Sequence, residues 1–325
     1  MMRPTWRPTA RLTALRGRAA ILAQLRAFFA ERAVLEVETP ALIGASAADS
    51  NLYGLSLPYS GPGANASGRL WLHTSPEFAM KRLLAAGSGS IYQICRVFRA
   101  DERGRWHNPE FTLLEWYREG YDHHRLMAEV SELVSRILGV RQVETLSYRD
   151  AFIRFADVDP WTSSAEELRR CAQRQAAAPP GLAPDDKDGW LDWLLATRVT
   201  PRLGQGCFTY LCDFPASQAA LARLREVDGV SVAERFELFI DGLEIANGYH
   251  ELSDPAEQRA RFAKERAHRL SQGLPESTVD ERLLAALAAG LPDCAGVALG
   301  VDRLVMLALG AQRIDEVITF PIERA

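Results

Sequence analysis

An α+β fold, an antiparallel sheet flanked by helices, is what this sequence predicts, on three observations. Strand-like runs recur at uneven intervals and are joined by hairpin signals as well as by helical segments, which fits an antiparallel sheet better than a run of βαβ units. The strongest hairpin signal is Asp241-Gly242, flanked on both sides by β-forming residues. The chain is also long and apolar enough, at 325 residues and 47% hydrophobic, to bury a substantial core.

The elements follow in order. Arg11–Arg32 carries an apolar stripe (Leu15, Ala19, Leu22, Leu25, Phe28, Phe29) at helical spacing. Alternation in VLEVETPAL predicts a strand stopped at Pro40, and residues 44–68, rich in Gly, Ser, Asn and Pro, predict a long irregular connection. SPEFAMKRLLAAG predicts a helix with Ser75 as N-cap, Pro76 at its first position and Gly87 at its stop. Ile91–Arg99 and Thr112–Arg118 predict two strands around a charged loop, and His124–Leu138 a helix.

The stretch from about Ser147 to Leu203 is Ala-rich and helical, broken at APPGLAP. Residues 157–203 are expected to be an insertion in a single domain spanning 1–325. Cys207–Pro215 and Val232–Leu252 return to strands, Glu257–Ser271 predicts a charged helix, and a strand ending at Gly300 leads into a helix capped by Asp302.

Composition excludes several functions. A net charge of −4 provides no global basic field for nucleic acid. Five scattered cysteines without a CxxC pair support neither a zinc ribbon nor a disulfide framework, and imply a reducing, cytoplasmic setting. The Arg-rich N-terminus lacks the apolar stretch of a secretory signal. The most apolar window, Ala295–Ala311, carries Asp302 and Arg303 at its middle, where charge is costly in a bilayer, so no membrane span is expected.

Three windows carry chemistry. A two-residue turn at Asp241-Gly242 pairs Phe239 with Glu244 and Glu237 with Ala246. Both glutamates then share a face, about 7–8 Å apart at the backbone. Paired carboxylates repel unless a cation lies between them, and oxygen ligands bridged through phosphate suit Mg²⁺. On an exposed face the same pair would merely be solvated. In the loop between the two strands, Arg99, Arg105 and His107 offer donors for phosphate oxygens and Phe111 a flat face for a base; a salt-bridged surface loop is the plainer alternative. Arg303 sits in the first turn of a helix, where the dipole disfavours cations, which points to an anionic partner or to an ordinary salt bridge.

In chain order these windows resemble the three signature motifs of class II aminoacyl-tRNA synthetases: the first helix with FFAERAVLEVETPAL, then VFRADERGRWHNPEF, then GVALGVDRL. TSPEFAMKRLL, HNPEFTLLEWY and FELFIDGLEIANGYHEL are similar to lysyl-tRNA synthetases in particular. The first motif begins near residue 11, so an anticodon-binding OB domain ahead of it is not expected. That architecture resembles the truncated lysyl-tRNA synthetase paralogues that modify elongation factor P.

The resemblance implies a class II synthetase catalytic core that uses ATP and Mg²⁺ to activate (R)-β-lysine. It further implies elongation factor P as acceptor in place of tRNA, and a homodimer built on the first motif. The alternatives are a free-standing enzyme that activates α-lysine for tRNA or another acceptor, and a non-catalytic paralogue. Retention of Arg99, Arg303, Glu237 and Glu244 argues against the last.

By position, Arg99, His107 and Arg303 would act on the phosphates, with Arg99 on the α-phosphate and adenine between Phe111 and Arg303. Asp101, Asn108, Ile245 and Gly300 would complete the nucleotide contacts, and Glu237 and Glu244 would hold Mg²⁺. Glu77 would receive the amine near the reacting carboxylate, with Ser75 and Pro76 also on the substrate. Glu115, Tyr117 and Glu251 would enclose the distal ammonium, beside Asn247, Tyr249 and Ala298. Two departures stand out: Asp101 replaces the usual Glu of the second motif, and Ala298 a usual Gly. The extra methyl at 298 is expected to disfavour α-lysine.

Overall fold

The computed structural model describes residues 6–45, 53–65, 67–100, 102–174, 181–271, 273 and 278–325. In chain order the elements are α1 (Leu12–Ala30), β1 (Leu35–Glu36), β2 (Leu42–Ile43), β3 (Ser56–Pro58), β4 (Arg69–Leu72), α2 (Glu77–Ala85), β5 (Ile91–Phe98) and β6 (Glu110–Glu119). They continue with α3 (His123–Leu138), β7 (Val143–Ser147), α4 (Tyr148–Ala156), α5 (Ala165–Gln173), α6 (Lys187–Leu194), β8 (Phe208–Pro215), β9 (Leu224–Val227), β10 (Val230–Ile240) and β11 (Leu243–His250). The chain closes with α7 (Pro255–Ser271), α8 (Glu281–Gly290), β12 (Cys294–Gly300) and α9 (Val301–Leu309). Mostly antiparallel strands with flanking helices make an α+β fold, as the sequence predicts.

Two compact units share the chain. Unit one comprises residues 1–121, 136–138 and 252–325, and unit two comprises 122–135 and 139–251. In unit one β6 pairs antiparallel with both β5 and β12, and β1 joins β5 in parallel. A small separate sheet is ordered β2-β4-β3. The buried stripe of α1 (Ile21, Leu25, Phe28, Phe29) recurs every three to four residues, the period that keeps one helical face on the core. Phe29 stacks on Tyr92 at 4.3 Å and meets Trp116 edge-on at 5.4 Å. Buried rings of this size stabilise by about 1.5–3 kcal/mol each.

In unit two β10 is central, antiparallel to β8, β9 and β11, while β7 joins β8 in parallel. Its core gathers Tyr148, Phe152, Trp190, Leu194, Leu211, Phe214 and Phe239. The β10–β11 turn is the one the sequence predicts. Asp241 (φ 51°) and Gly242 (φ 73°) are both left-handed, the backbone that a twisted two-residue hairpin turn requires.

Several expectations are corrected. The strand predicted over VLEVETPAL shrinks to Leu35–Glu36, because only a short stretch there meets a partner strand, with Leu35 opposite Ile91. Residues 44–68 are not wholly irregular, since Ser56–Pro58 pairs with β4. The N-cap of α2 is Pro76, without a side-chain cap bond, so Ser75 does not cap it. Asp302 does not cap α9 either. It is drawn into the core, where its carboxylate accepts from the backbone N–H of Thr112 (2.7 Å) and from Arg18 (2.5 Å). β7 and α8 were not foreseen, although Asp280 announces α8 by accepting from the N–H groups of Arg282 and Leu283.

Candidate active site

In unit one β6 carries the site in a row. Residues directly opposed across a ladder share a face, so Gln93, Glu115 and Ala298 form one rung. Ile91, Tyr117 and Gly296 form the next, and Cys95, Leu113 and Gly300 the one before. Phe111 begins the same face. Four residues at about 3.4 Å each place it about 14 Å along the strand from Glu115. The Arg99 guanidinium lies over the Phe111 ring at 5.0 Å, a cation–π contact that joins the expected phosphate ligand to the expected base platform. The buried Arg99 Nε has no hydrogen-bond partner among the described residues, and the guanidinium approaches Glu102 at 3.6 Å.

At the other end Glu115 is buried, with 2% exposure, and accepts a 2.7 Å hydrogen bond from the Tyr117 hydroxyl. A buried carboxylate of this kind is suited to receive an ammonium. Ala298 stands directly across from Glu115 in the ladder, so the two side chains share a face. Glu77 opens α2 and is paired at 2.7 Å with the buried Lys81, one helical turn on. Pro76 is buried beside it, and Ser75 is half-buried.

The loop that links β5 and β6 separates into two sets of residues. Arg103 pairs with Asp315 and Glu323, and Arg105 donates to the carbonyl and side chain of Gln312. These arginines fasten the loop to the C-terminal segment, so the expectation that Arg105 serves phosphate is corrected. Asn108 is likewise buried into a backbone role, donating to Glu110 O (2.7 Å) and accepting from Ile322 N (3.1 Å).

Arg303 donates to His107 Nε2 at 2.6 Å. A guanidinium only donates, so Nε2 is the acceptor in this contact. In this geometry His107 orients Arg303. Gly300 sits at the N-cap of α9 with the Arg303 stem beside it; a Cβ there would lie 3.6 Å from Arg303 Cδ. Asp101 lies outside the described residues.

In unit two the hairpin register differs from the expected one. Beyond the turn Phe239 pairs with Glu244, but the ladder then shifts, so that Leu238 opposes Ala246 and Glu237 opposes Asn247. Glu237 therefore does not pair with Ala246. The cause is a bulge near Ile245, which puts one extra residue into β11 and reverses the side-chain alternation beyond it. Ile245 and Ala246 are accordingly both buried. The bulge lets Glu244, on the even parity, share a face with Asn247 and Tyr249, on the odd. Without it these two would face away from Glu237.

Arg235, which the sequence reading missed, sits in the middle of this face. It contacts Glu237 Oε1 at 2.5 Å and Asn247 Oδ1 at 3.3 Å, and lies over the Phe214 and Tyr249 rings. Its parity with Glu237 was the available signal. Burial first, then repulsion from Glu244, holds the Glu237 carboxyl above the ordinary carboxylate range against the pull of Arg235. Glu251, 1% exposed, accepts from Arg223 through its carbonyl at 2.8 Å. Gln93 was also missed. It is a polar residue in the apolar run IYQIC, 3% exposed, and its Oε1 has no hydrogen-bond partner among the described residues.

Comparison with known proteins gives this arrangement a family. The elongation factor P–(R)-β-lysine ligase of Salmonella typhi is 49% identical over 321 residues, 99% of this chain and 98% of that protein. The enzyme of the same name from Vibrio cholerae is 49% identical over 325 residues and covers both chains fully. The family model for tRNA synthetases class II (D, K and N) matches residues 5–324. The chain belongs to the class II tRNA synthetase family of the D, K and N type.

Proposed function

We propose that this chain is an ATP-dependent ligase that activates (R)-β-lysine as its adenylate and transfers it to a lysine side chain of elongation factor P. The observation that carries the reading is the row on β6: a cation–π pair, Arg99 on Phe111, at one end and a buried carboxylate, Glu115 with Tyr117, at the other. The relatives, 49% identical along the whole chain, support the substrate and the acceptor.

The substrate carboxylate attacks the α-phosphate in line, the P–O bond to the bridging oxygen breaks, and pyrophosphate leaves. Arg99 offsets charge on the α-phosphate, and Arg303, oriented by His107, binds the departing phosphates. Such preorganised donors account for most of the catalysis in reactions of this type. Phe111 supports the adenine, with Asn108 fixing the loop on which the base rests. Glu115 and Tyr117 take the distal ammonium, a role that the resemblance extends to Glu251. In the second half-reaction the neutral amine of the acceptor lysine attacks the adenylate carbonyl, an amide forms and AMP leaves.

Glu237 and Glu244 are suited to Mg²⁺. Two acidic side chains on one face, one of them held above its ordinary range first by burial and then by the other's charge, are relieved by a hard cation. When bound, Mg²⁺ supplies charge neutralisation on the phosphates. Asn247 and Tyr249, brought to that face by the bulge, take the substrate backbone. The cytoplasm is the expected location, and no helix among the described residues is long and apolar enough to cross a membrane.

The test is ATP–pyrophosphate exchange with (R)-β-lysine, α-lysine and other amino acids in parallel, followed by mass analysis of elongation factor P incubated with the enzyme. Exchange led by (R)-β-lysine, with acylated elongation factor P, is expected, and Arg99→Ala should lower exchange by about 10²–10³-fold. No exchange with any lysine isomer would overturn the reading.

A further inference from the structure

The face of the β10–β11 hairpin opposite Glu237 carries a second polar cluster. Glu234 and His250 fall on the parity that alternates with Arg235, Glu237, Asn247 and Tyr249. There His250 Nδ1 lies 2.6 Å from Glu234 Oε2. The third member, His123, comes from the first residue of α3. One ligand atom from each of the three side chains lies within 4.8 Å of the others.

Glu234 and His250 satisfy each other, and His123 is the residue that this pairing does not explain. It is 2% exposed, yet neither Nδ1 nor Nε2 has a hydrogen-bond partner among the described residues. Burying an imidazole with both nitrogens unmatched costs free energy that a bound ligand would recover. Burial also keeps the ring neutral, with its pKa pushed down to about 4, and the neutral ring is the form that donates a lone pair to a metal.

The surroundings favour a cation. Glu234 carries negative charge here, held below its usual range mainly by its bond to His250. Asp122, adjacent in sequence, acts electrostatically on His123, His124 and His250. A nearby guanidinium, Arg225, is held at 2.5 Å by Asp213 and stands 3.9 Å from the other Glu234 oxygen, Oε1. Oε2 is thus the oxygen turned to the histidines.

We propose that His123, Glu234 and His250 form a transition-metal site of the Zn²⁺ class, which ties the start of α3 to the β10–β11 hairpin. Two imidazoles and one carboxylate are a borderline-soft donor set, suited to Zn²⁺, Co²⁺ or Ni²⁺ and not to Mg²⁺ or Ca²⁺. Tetrahedral bonds of about 2.0–2.1 Å put ligand atoms about 3.3 Å apart, so side-chain rotations draw in the widest pair and part His250 from Glu234. The metal replaces the proton that bridges those two residues. The fourth position falls to water on the exposed side, where His124 stands with its ring 4.0 Å from that of His123. The site is separate from the Mg²⁺ carboxylates, which occupy the other face.

The full chain, stripped of metal, is titrated with Zn²⁺ against a chromophoric chelator and melted with and without Zn²⁺. One equivalent per chain and a raised melting temperature are expected. His123→Phe and Glu234→Gln should each weaken binding by on the order of 100-fold or more, beyond the loss that changes around a ligand produce. His268→Ala, an exposed histidine on α7, should leave binding unchanged. Circular dichroism of the metal-free variants checks that they fold, and the visible Co²⁺ spectrum, lost in either variant, reads the ligands directly. Binding absent from the parent protein, or retained by a folded His123→Phe, would overturn the proposal.

Discussion

At the scale of single residues, the sharpest prediction concerns Ala298. Its Cβ shares a rung with Glu115, so one methyl changes the space beside the carboxylate proposed to hold the substrate ammonium. A methyl in a closed pocket discriminates by about 1–3 kcal/mol, or roughly 10–200-fold. Ala298→Gly should therefore raise α-lysine-dependent exchange relative to (R)-β-lysine by up to that factor, read as the ratio of kcat/KM values. An unchanged ratio would remove Ala298 from specificity. This position was legible in the sequence because a Gly is usual there. Gln93, on the same rung, was not, since only pairing with β6 reveals that it faces Glu115. Arg105 was misjudged alongside Arg99 for a related reason: its partner Gln312 lies 207 residues away.

At the scale of elements, the β10–β11 hairpin depends on a neighbour that its own sequence does not contain. Leu203 and Gly204 accept from the N–H groups of Gly242 and Asp241, at 2.9 and 2.8 Å, and so fasten the turn. Gly204 has φ +70°, and a Cβ on it would lie 2.5 Å from Phe239 O and 2.6 Å from Ile240 Cα. Neither backbone atom can yield. Gly204→Ala should destabilise by more than about 3 kcal/mol, measured by denaturant unfolding, because steric overlap adds to the left-handed strain.

His73 makes a similar link at the end of β4. Its ring donates through Nε2 to Arg96 O at 2.7 Å, and its backbone bonds Ala41 and Phe98. Burial, outweighing that bond, lowers its pKa below 6.5, so the folded state favours the neutral ring. Its stabilising contribution is therefore complete above the unfolded value and is lost as pH falls through the folded one. His73→Gln keeps a donor and removes the titration. The variant should lose less stability than the parent on acidification below 6.5, read from urea midpoints across pH.

At the scale of the whole molecule, the first motif is the place where a second copy is expected. In unit one the short edge strand β1 leaves Leu35 55% exposed, with Leu42 at 45% nearby in sequence and Leu12 at 68% on α1. Apolar residues left open on the segment that pairs subunits elsewhere in the class fit a dimer contact. Sedimentation should give twice the chain mass of 36.0 kDa, and Leu35→Asp should shift the equilibrium toward monomer. A parent protein that remains monomeric at micromolar concentration would exclude the dimer.

By itself the sequence determined the α+β class, the helices with clear apolar stripes, the Asp241-Gly242 turn and the identity of the charged residues on the motif loop. These depend on side-chain period and on local backbone preference, which act over a few residues. Which side chains share a face was decided only by tertiary structure. The bulge near Ile245 sets the parity of Asn247 and Tyr249, and it exists only because β11 is paired with β10. Asp302 left its expected cap for Thr112 and Arg18, partners 190 and 284 residues distant. A buried carboxylate takes the strongest donors within reach, and the folded chain determines which donors those are.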